Sequence, residues 1–264
     1  MQLGSQMRIL CAGDRITNRN SGGSYVRLLQ NAHPDWYIMN AGGSGWTLQM
    51  IGKRLLEMVQ ADATFDAIVL QTGYNDLLLP SFAYRNRLFR AALRHCIRKA
   101  HAPIDSAPLF GEALKEIIQH IQSICKAKII VTTIACLGEN LSSELNVRRR
   151  QYNDVIRKTA QYCNCSVADT SMAFYECLSQ HQSVNDLFLS FWNTILIDPF
   201  ARRLHLGAEA LSRYRGLQLT IDGCHLNAYG TDLFKAEVEQ ALLQVVCSER
   251  MPIHQAVTTF RTML

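Results

Sequence analysis

The sequence predicts an α/β fold, a three-layer α/β/α sandwich around a mostly parallel sheet. Short, nearly all-apolar runs alternate with segments of helical periodicity, and this alternation is typical of parallel strands that are joined by right-handed crossovers and covered on both faces. A length of 264 residues, of which 48% are hydrophobic, is enough to bury a sizeable core. Because no repeat or low-complexity linker interrupts the chain, we expect a single domain over residues 1–264.

Apolar runs predict the strands, at residues 7–12, 37–41, 65–71, 128–133 and 166–169. The first run stops at Gly13, which suits a tight turn. The second run is followed by Gly42, Gly43 and Gly45. Since glycine lacks a Cβ, this cluster predicts a loop whose backbone can approach a ligand closely.

Apolar residues spaced three and four apart predict the helices, near 21–33, 47–59, 109–126, 146–163 and from Asn227 onwards. Thr47 is the expected N-cap of the second helix. A basic helical insert is expected at about 80–108. An irregular helical region is expected at about 172–219, with short helices around Phe174, Leu187 and Leu211.

Polar and glycine-rich segments are predicted to meet at one edge of the sheet. In an open parallel sheet, ligands bind beyond the carboxyl ends of the strands. Three of the segments follow the first three strands, and the fourth precedes the last helix in a loop that can fold back over the same edge. They are Gly13-Asp14-Arg15, Gly43-Ser44-Gly45, Gly73-Tyr74-Asn75-Asp76 and Asp222-Gly223-Cys224-His225.

In these segments the chain resembles the SGNH, or GDSL-type, hydrolase family. The blocks of that family are Gly-Asp-Ser, a glycine loop after the second strand, Gly-x-Asn-Asp and Asp-x-x-His, and each has a counterpart here in the same order. One block is a weak signal, whereas four in order across nearly the whole chain are specific. The resemblance implies a flavodoxin-like fold and an esterase or lipase-like hydrolase of carboxylic esters, such as O-acetyl or short-chain acyl groups.

The resemblance implies three catalytic positions: the nucleophile position, which Arg15 occupies, and the acid–base pair Asp222 and His225. A serine at position 15 would attack the ester carbonyl, and the imidazole of His225 would take its proton as general base. Asp222, in the same short block, would hold the tautomer of that imidazole through one local turn. The alternative is that His225 is an ordinary surface or core histidine.

The resemblance implies an oxyanion hole made of the backbone N–H groups of residue 15 and Gly45 and the side-chain amide of Asn75. Asp14 and Asp76 would support the site. Gly45 is preferred because Ser-Gly-Trp-Thr matches the family's Ser-Gly-Asp-Thr except at Trp46. The alternative is purely structural: Asp14 and Asn75 would cap helices or tie loops together, and Gly45 would serve a turn.

Arg15 stands where the family has its nucleophilic serine. A guanidinium stays protonated at any relevant pH and cannot attack a carbonyl. The sequence therefore predicts an inactive or impaired hydrolase. It leaves open a non-catalytic pseudoenzyme that uses the pocket to bind an anionic ligand or partner. Arg15 is expected either to pair with Asp222 and plug the pocket, or to hold a carboxylate or phosphate of a ligand.

Other hydroxyl and thiol groups near this edge are poor replacements for the missing serine. They are Thr17, Ser21, Ser24, Ser44, Cys11 and Cys224. A displacement of two residues in a helix or turn points a side chain away from its neighbour. Cys11 also belongs to a predicted buried strand.

The insert carries a basic stripe at helical spacing, Arg87, Arg90, Arg94 and Arg98. Such a helix could form a lid, steer anionic substrates or contact a membrane surface through acidic lipid headgroups. The alternative is a solvated face whose apolar side packs onto the sheet. The overall net charge of +5 is too small to predict nucleic-acid binding.

Several other classes are not indicated by the sequence. No apolar run approaches the ~18 residues of a membrane span, and no secretory signal is expected before Met7. The nine cysteines form no CxxC pairs, which predicts reduced thiols and a cytoplasmic protein. No cofactor is expected, because glycine motifs for nucleotides are lacking, and no metal, because Cys163, Cys165 and His181 lack zinc spacing.

Overall fold

A five-stranded parallel sheet forms the centre of the computed structural model, which describes residues 6–18, 23–81, 102–180 and 208–250. The strands are β1 (Arg8–Gly13), β2 (Tyr37–Gly42), β3 (Ala67–Leu70), β4 (Lys128–Thr132) and β5 (Ser166–Ala168). Their order is β2-β1-β3-β4-β5, which is the flavodoxin-like arrangement with a switch point between β1 and β3. The predicted α/β fold is confirmed.

Helices connect the strands and cover the sheet. They are α1 (Arg15–Asn18), α2 (Tyr25–Ala32), α3 (Leu48–Ala61), α4 (Tyr74–Ser81), α5 (Ala107–Ile124), α6 (Glu144–Tyr162), α7 (Thr170–Ser179), α8 (Ala208–Tyr214) and α9 (Ala228–Arg250). On one face, α9 packs against α2, α7, β4 and β5. The other face carries α5, which packs between α3 and α6. The sheet is therefore the middle of three layers.

The central strands are buried, which explains why they stand out in the sequence as unbroken apolar runs. Ile9, Leu10, Cys11 and Ala12 of β1 are each 0% exposed, and all of β3 is buried. β1 lies between β2 and β3. Since it is a central strand, the residues that follow it lie in the middle of the carboxyl edge of the sheet.

Helix α2 begins later than predicted. Its start was expected near Ser21, whereas the helix begins at Tyr25 with Ser24 as the N-cap. Ser24 Oγ accepts a hydrogen bond from the N–H of Arg27 at 3.3 Å, which satisfies a backbone donor of the first turn. The sequence offers both serines as caps, and Ser24 takes this role in the structure.

Two helices at the carboxyl edge were not predicted. α1 begins two residues after β1, and α4 begins shortly after β3. α1 has only four residues, and α4 has eight, so neither is long enough for a clear helical period to stand out in the sequence.

The region predicted to be irregular contains α7 and α8 in its described part, and these helices include Phe174 and Leu211. The helix expected around Leu187 and the basic stripe from Arg87 to Arg98 lie outside the described residues. No helix in the described ranges is long and apolar enough to cross a membrane. The single-domain boundaries stay a prediction.

Candidate active site

Asp222 and His225 are joined within one turn. His225 Nδ1 lies 2.5 Å from Asp222 Oδ2. Asp222 Oδ1 accepts hydrogen bonds from the N–H groups of Cys224 at 3.0 Å and His225 at 2.8 Å. Gly223, inside the turn, has a φ of 87°, which glycine adopts without strain. The carboxylate thus orients the imidazole through Nδ1 and leaves Nε2 as the atom that can accept a proton.

The charge state of Asp222 suits this arrangement. Burial raises its pKa, but the charge of His225 and the hydrogen bonds from His225 and Cys224 outweigh that effect and hold the pKa well below its usual range. The surrounding loop is closed by the N–H of Ile221, which donates to the His225 carbonyl at 2.7 Å. An ionised carboxylate is therefore held in place to stabilise an imidazolium.

Asp14 fixes the turn at the end of β1. Its Oδ1 accepts the N–H of Ile16 at 2.9 Å, and its own N–H donates to Gln71 Oε1 at 2.9 Å. The other carboxylate oxygen, Oδ2, is buried and has no hydrogen-bond partner among the described residues. Burial raises the pKa of Asp14 to about 6. The turn that carries Arg15 is thus anchored by a carboxyl group that is only half satisfied.

Electrostatic effects link the end of β1 with the last loop. Burial raises the pKa of Asp14, whereas the charge of His225 lowers it. Burial also raises the pKa of the Cys224 thiol well above its ordinary value, Asp222 and Asp14 raise it further, and Arg15 lowers it. The N–H of Gly138, which follows β4, donates to the carbonyl of Gly223 at 2.6 Å, so the last loop lies at the carboxyl edge of the sheet, where β1 also ends.

Asn75 is connected to the glycine loop. Its Nδ2 donates to the carbonyl of Trp46 at 2.8 Å, and since an amide has two N–H donors, a second one is left for a ligand. Gly45 has a φ of 79°, and a Cβ at that position would meet no atom of the described residues within 4 Å. The middle two predicted segments therefore form one connected part of the edge that is open beside Gly45.

Asp76, in α4, connects that helix to the start of α3 and to the residues before α5. Its Oδ2 accepts the N–H of Leu48 at 2.9 Å, and its Oδ1 accepts the N–H of Ile104 at 3.0 Å. Burial raises its pKa to about 6, against these hydrogen bonds. Thr47 occupies the N-cap position of α3 as predicted but makes no side-chain cap hydrogen bond. The carboxylate of Asp76 takes that function because it accepts from the first residue of the helix.

The internal ion pair expected between Arg15 and Asp222 is wrong. The Arg15 side chain is exposed. The carboxylate of Asp222 is engaged by His225 and by the backbone of its own turn, and no ion pair in the described part of the chain includes Arg15. Arg15 therefore does not plug the site through Asp222.

The replacement nucleophiles that lie in the described residues are occupied or buried. Thr17 Oγ1 donates to Gln71 Oε1 at 3.0 Å, Ser24 caps α2, and Ser44 Oγ accepts from Asn18 at 3.4 Å. Burial raises the pKa of the Cys11 thiol to about 12, and the Cys224 thiol is likewise held protonated. Ser21 lies outside the described residues.

Sequence reasoning missed Glu139, which lies in the loop between β4 and α6. Its carboxylate is buried and accepts hydrogen bonds from the backbone of residues 218–220. One signal was available: an acidic residue two positions after the apolar stretch Ala135-Cys136-Leu137, at the edge where the other segments lie. Its partners are about 80 positions away, so no local pattern identifies them.

The edge offers a proton acceptor on His225 and hydrogen-bond donors on Asn75 and the neighbouring backbone. Such a set can move a proton and stabilise a developing oxyanion. Across residues 6–18, 23–81, 102–180 and 208–250, no group of three or more His, Cys, Asp and Glu side chains is placed to hold a metal ion.

Solved structures with the same fold are esterases and lipolytic proteins. The acetyl xylan esterase AlAXEase superposes with a TM-score of 0.62 at 20% identity, covering 89% of this chain and 99% of that chain. The acetylxylan esterase Axe2 from Geobacillus stearothermophilus gives a TM-score of 0.60 at 20% identity, covering 91% and 96%. A member of the lipolytic G-D-S-L family from Veillonella parvula gives 0.56 at 17%, covering 89% and 97%.

The family assignment comes from the sequence. A comparison with curated proteins found no match, and the identities to the solved structures support the fold alone. The sequence model of the GDSL-like Lipase/Acylhydrolase family, in contrast, matches residues 11–233, a range that contains the four predicted segments. This chain therefore belongs to the GDSL-like lipase/acylhydrolase family.

Proposed function

We propose that the chain is a carboxylic-ester hydrolase scaffold in which the acid–base pair is kept and the nucleophile is replaced, so that ester hydrolysis is lost or severely impaired. The observation that carries this proposal is the 2.5 Å hydrogen bond between His225 Nδ1 and Asp222 Oδ2, at the edge where Arg15 follows Asp14. The proton-transfer half of an acyl-hydrolase site is assembled beside a residue that cannot attack a carbonyl.

The chemistry of a serine at position 15 follows from the neighbouring groups. His225 Nε2 would take the hydroxyl proton as the oxygen attacks the carbonyl, and Asp222 would stabilise the imidazolium that forms. The free N–H of the Asn75 amide and the backbone N–H of Gly45 would stabilise the oxyanion. Arg15 removes the attacking oxygen. In subtilisin, loss of the serine lowers turnover by about a million-fold, and about 10³ to 10⁴ over water remains.

Acetyl esters are the first substrates to test. AlAXEase and Axe2 are acetyl xylan esterases, and two of the solved Axe2 structures are catalytic mutants in which a histidine and a serine, respectively, are replaced by alanine. By analogy, we infer that the ancestral substrate of this scaffold was a short-chain acyl ester, with an acetylated carbohydrate as one candidate.

The test is hydrolysis of p-nitrophenyl acetate by the chain as it stands, by Arg15→Ser and by Arg15→Ala. We expect at most a small residual rate for the first and third proteins and a much higher rate for Arg15→Ser, which depends on His225. The double variant Arg15→Ser/His225→Ala should therefore be silent. A folded Arg15→Ser protein without activity on acetyl, butyryl and acetylated-sugar esters would contradict the proposal.

A second candidate function is favoured by the exposure of Arg15, which has no ion pair within the described part of the chain. A guanidinium at the rim of a former active site can bind a carboxylate or phosphate in bidentate fashion. Titration with acetate and with inorganic phosphate tests this function. Arg15→Gln should abolish the binding heat, and unchanged binding in that variant would refute an anion site at Arg15.

Contact with a membrane surface through Arg87, Arg90, Arg94 and Arg98 is a separate proposal, based on their helical spacing in the sequence. Co-sedimentation with vesicles of phosphatidylserine and phosphatidylcholine tests it. Replacing all four arginines by glutamine should reduce the bound fraction, whereas equal binding by both proteins would exclude this role.

A further inference from the structure

We propose that Glu139 is a positioning residue for the Asp222–His225 pair. Glu139 belongs to none of the four family blocks and lies in the loop that joins β4 to α6. The inference deepens the proposed function, because it says what holds the proton acceptor of that site in place. Its structural basis does not depend on whether the chain hydrolyses an ester.

The Glu139 carboxylate binds the segment of residues 218–220, which leads into the Asp222 turn. The residue is 2% exposed. Its Oε2 accepts the N–H of Gln218 at 2.7 Å, and its Oε1 accepts the N–H groups of Leu219 at 2.9 Å and Thr220 at 2.8 Å, together with the Thr220 hydroxyl at 2.7 Å. Hydrogen bonds to an ionised acceptor are stronger than neutral ones. Three consecutive residues before the turn are thereby fixed by one side chain.

Thr220 connects Glu139 with the turn that contains Asp222 and His225. Its Oγ1 donates to Glu139 and accepts the N–H of Gly223 at 3.1 Å. A second tie comes from the backbone, since the N–H of Gly138 donates to the carbonyl of Gly223 at 2.6 Å. Gly223 is therefore held through both its N–H and its carbonyl. It lies between Asp222 and His225, so its position sets theirs.

The loop that carries Glu139 is held by hydrogen bonds to α6. Asn146, in the first turn of α6, donates through Nδ2 to the carbonyls of Leu137 at 2.9 Å, Gly138 at 3.0 Å and Asn140 at 2.8 Å. The residues on either side of Glu139 are thus fastened to a helix. A catalytic group must be held closely, because a shift of about 1 Å can lower the rate by about 100-fold.

The variant that isolates this role is Glu139→Gln. Glutamine keeps the length of the side chain but is neutral, and its NH₂ group would face backbone N–H donors in place of an accepting oxygen. The hydrogen bonds that one of the two carboxylate oxygens accepts from residues 218–220 would therefore be lost. Two controls separate positioning from general stability: Glu116→Gln changes an exposed glutamate of α5, and Ile118→Val shortens a fully buried side chain of the same helix.

The first readout does not require activity. In protein labelled with ¹⁵N-histidine, the proton on His225 Nδ1 that is hydrogen-bonded to Asp222 should give a resonance downfield of the backbone amides, assigned by its loss in Asp222→Asn. We expect Glu139→Gln to shift or broaden this resonance. Ile118→Val should lower the Tm and Glu116→Gln should leave it unchanged, and both should keep the resonance. An unaltered resonance in Glu139→Gln would overturn the proposal.

The second readout uses the Arg15→Ser background. Adding Glu139→Gln should lower kcat by about 10-fold to 100-fold and leave KM nearly unchanged, because Gly45 and Asn75 lie in other elements, the loop after β2 and helix α4. Equal kcat values with and without Glu139→Gln would refute the positioning role. If Arg15→Ser itself has no activity, the proposed ester hydrolysis fails, and the His225 resonance alone decides the role of Glu139.

Discussion

The two halves of the candidate site differ in how completely their buried polar groups are satisfied. In the loop before α9, the oxygens of the Asp222 carboxylate accept hydrogen bonds from its own turn and from His225. At the end of β1, Asp14 Oδ2 and Gln71 Nε2 are buried without a partner in the described ranges. Arg15, next to them, is exposed.

This difference shows which parts of such a site also serve folding. Asp222 Oδ1 accepts two backbone N–H groups of its turn, so the carboxylate is needed for the loop whether or not a proton is moved. The side chain at position 15 has no such duty, because Asp14 and Gln71 fix that turn without it. Asp222 and His225 can therefore stay paired for structural reasons, whatever side chain stands at position 15.

The largest expected effect tests whether Asp222 supports proton transfer by His225. In the Arg15→Ser background, Asp222→Asn should lower kcat by about 10⁴-fold, because an amide cannot hold the His225 tautomer or stabilise its imidazolium. Steady-state hydrolysis of p-nitrophenyl acetate measures it, with circular dichroism as the control for folding. A fall of less than about tenfold would mean that the 2.5 Å contact is structural only.

The next effect distinguishes Asp14 from Asp222 by the pH dependence of their contributions to the free energy of unfolding. Burial raises the pKa of Asp14 from 3.8 to about 6, so the folded protein binds this proton more tightly than the unfolded chain. The contribution of Asp14 to the free energy of unfolding therefore falls as the pH rises from about 4 to about 6, by roughly 3 kcal/mol. Asp222 behaves oppositely: its pKa is lowered, so its contribution is present above its unfolded pKa and is lost at low pH.

Asp14→Asn should remove that pH dependence. We expect the Tm of the variant, relative to the parent, to rise between pH 4 and pH 7, as measured by differential scanning calorimetry. Asp76 also has a raised pKa, but it is present in both proteins and cancels in the comparison. Asp35→Asn changes an exposed carboxylate and is the matched control. Parallel curves for parent and Asp14→Asn would show that Asp14 is not held protonated by burial.

A smaller effect compares a crowded glycine, Gly13 at the end of β1, with a more open one, Gly45 in the loop after β2. A Cβ on Gly13 would lie 2.2 Å from Thr17 Oγ1 and 2.5 Å from Gln71 Oε1, so Gly13→Ala should lower the free energy of unfolding by about 1–3 kcal/mol through overpacking. A Cβ on Gly45 would meet no described atom within 4 Å, but its φ is 79°, so Gly45→Ala should cost about 1–2 kcal/mol from backbone strain. Urea unfolding measures both, and a larger loss for Gly45→Ala would reverse the expected order.

The smallest effect concerns the helix caps on either side of the site. Ser24 Oγ accepts from the N–H of Arg27, and Ser143 Oγ accepts from the N–H of Asn146. Each serine to alanine change should lower the free energy of unfolding by about 1 kcal/mol. Ser143 also accepts from Asn146 Nδ2 at 3.2 Å, so Ser143→Ala should be the more costly of the two. Equal or reversed losses would show that this additional contact contributes little.

Much of the fold could be predicted because the central strands have only one pattern available to them. β1 and β3 are buried, and so Ile9 to Ala12 and Ala67 to Leu70 read as continuous apolar runs. The start of α2 was misplaced because Ser21 and Ser24 have the same cap chemistry. The short helices α1 and α4 were missed because the carboxyl edge, not their own period, sets their conformation.

The pairing inside the candidate site was only partly accessible from sequence. Asp222 and His225 are three residues apart, so a local turn brings them together and the motif is sufficient. Arg15 was expected either on Asp222 or on an anion of a ligand, and the first alternative fails because His225 already occupies that carboxylate. Glu139 and Thr220 are 81 positions apart, and only the folded sheet edge brings them into contact.

The closed turn around Gly223 has an evolutionary consequence. Its hydrogen bonds do not include the residue at position 15, so the backbone needs no remodelling when that residue changes. Under the proposed function, a change of this one codon would silence the scaffold and a single reversion would restore it, because the fold of the turn does not depend on the side chain at position 15.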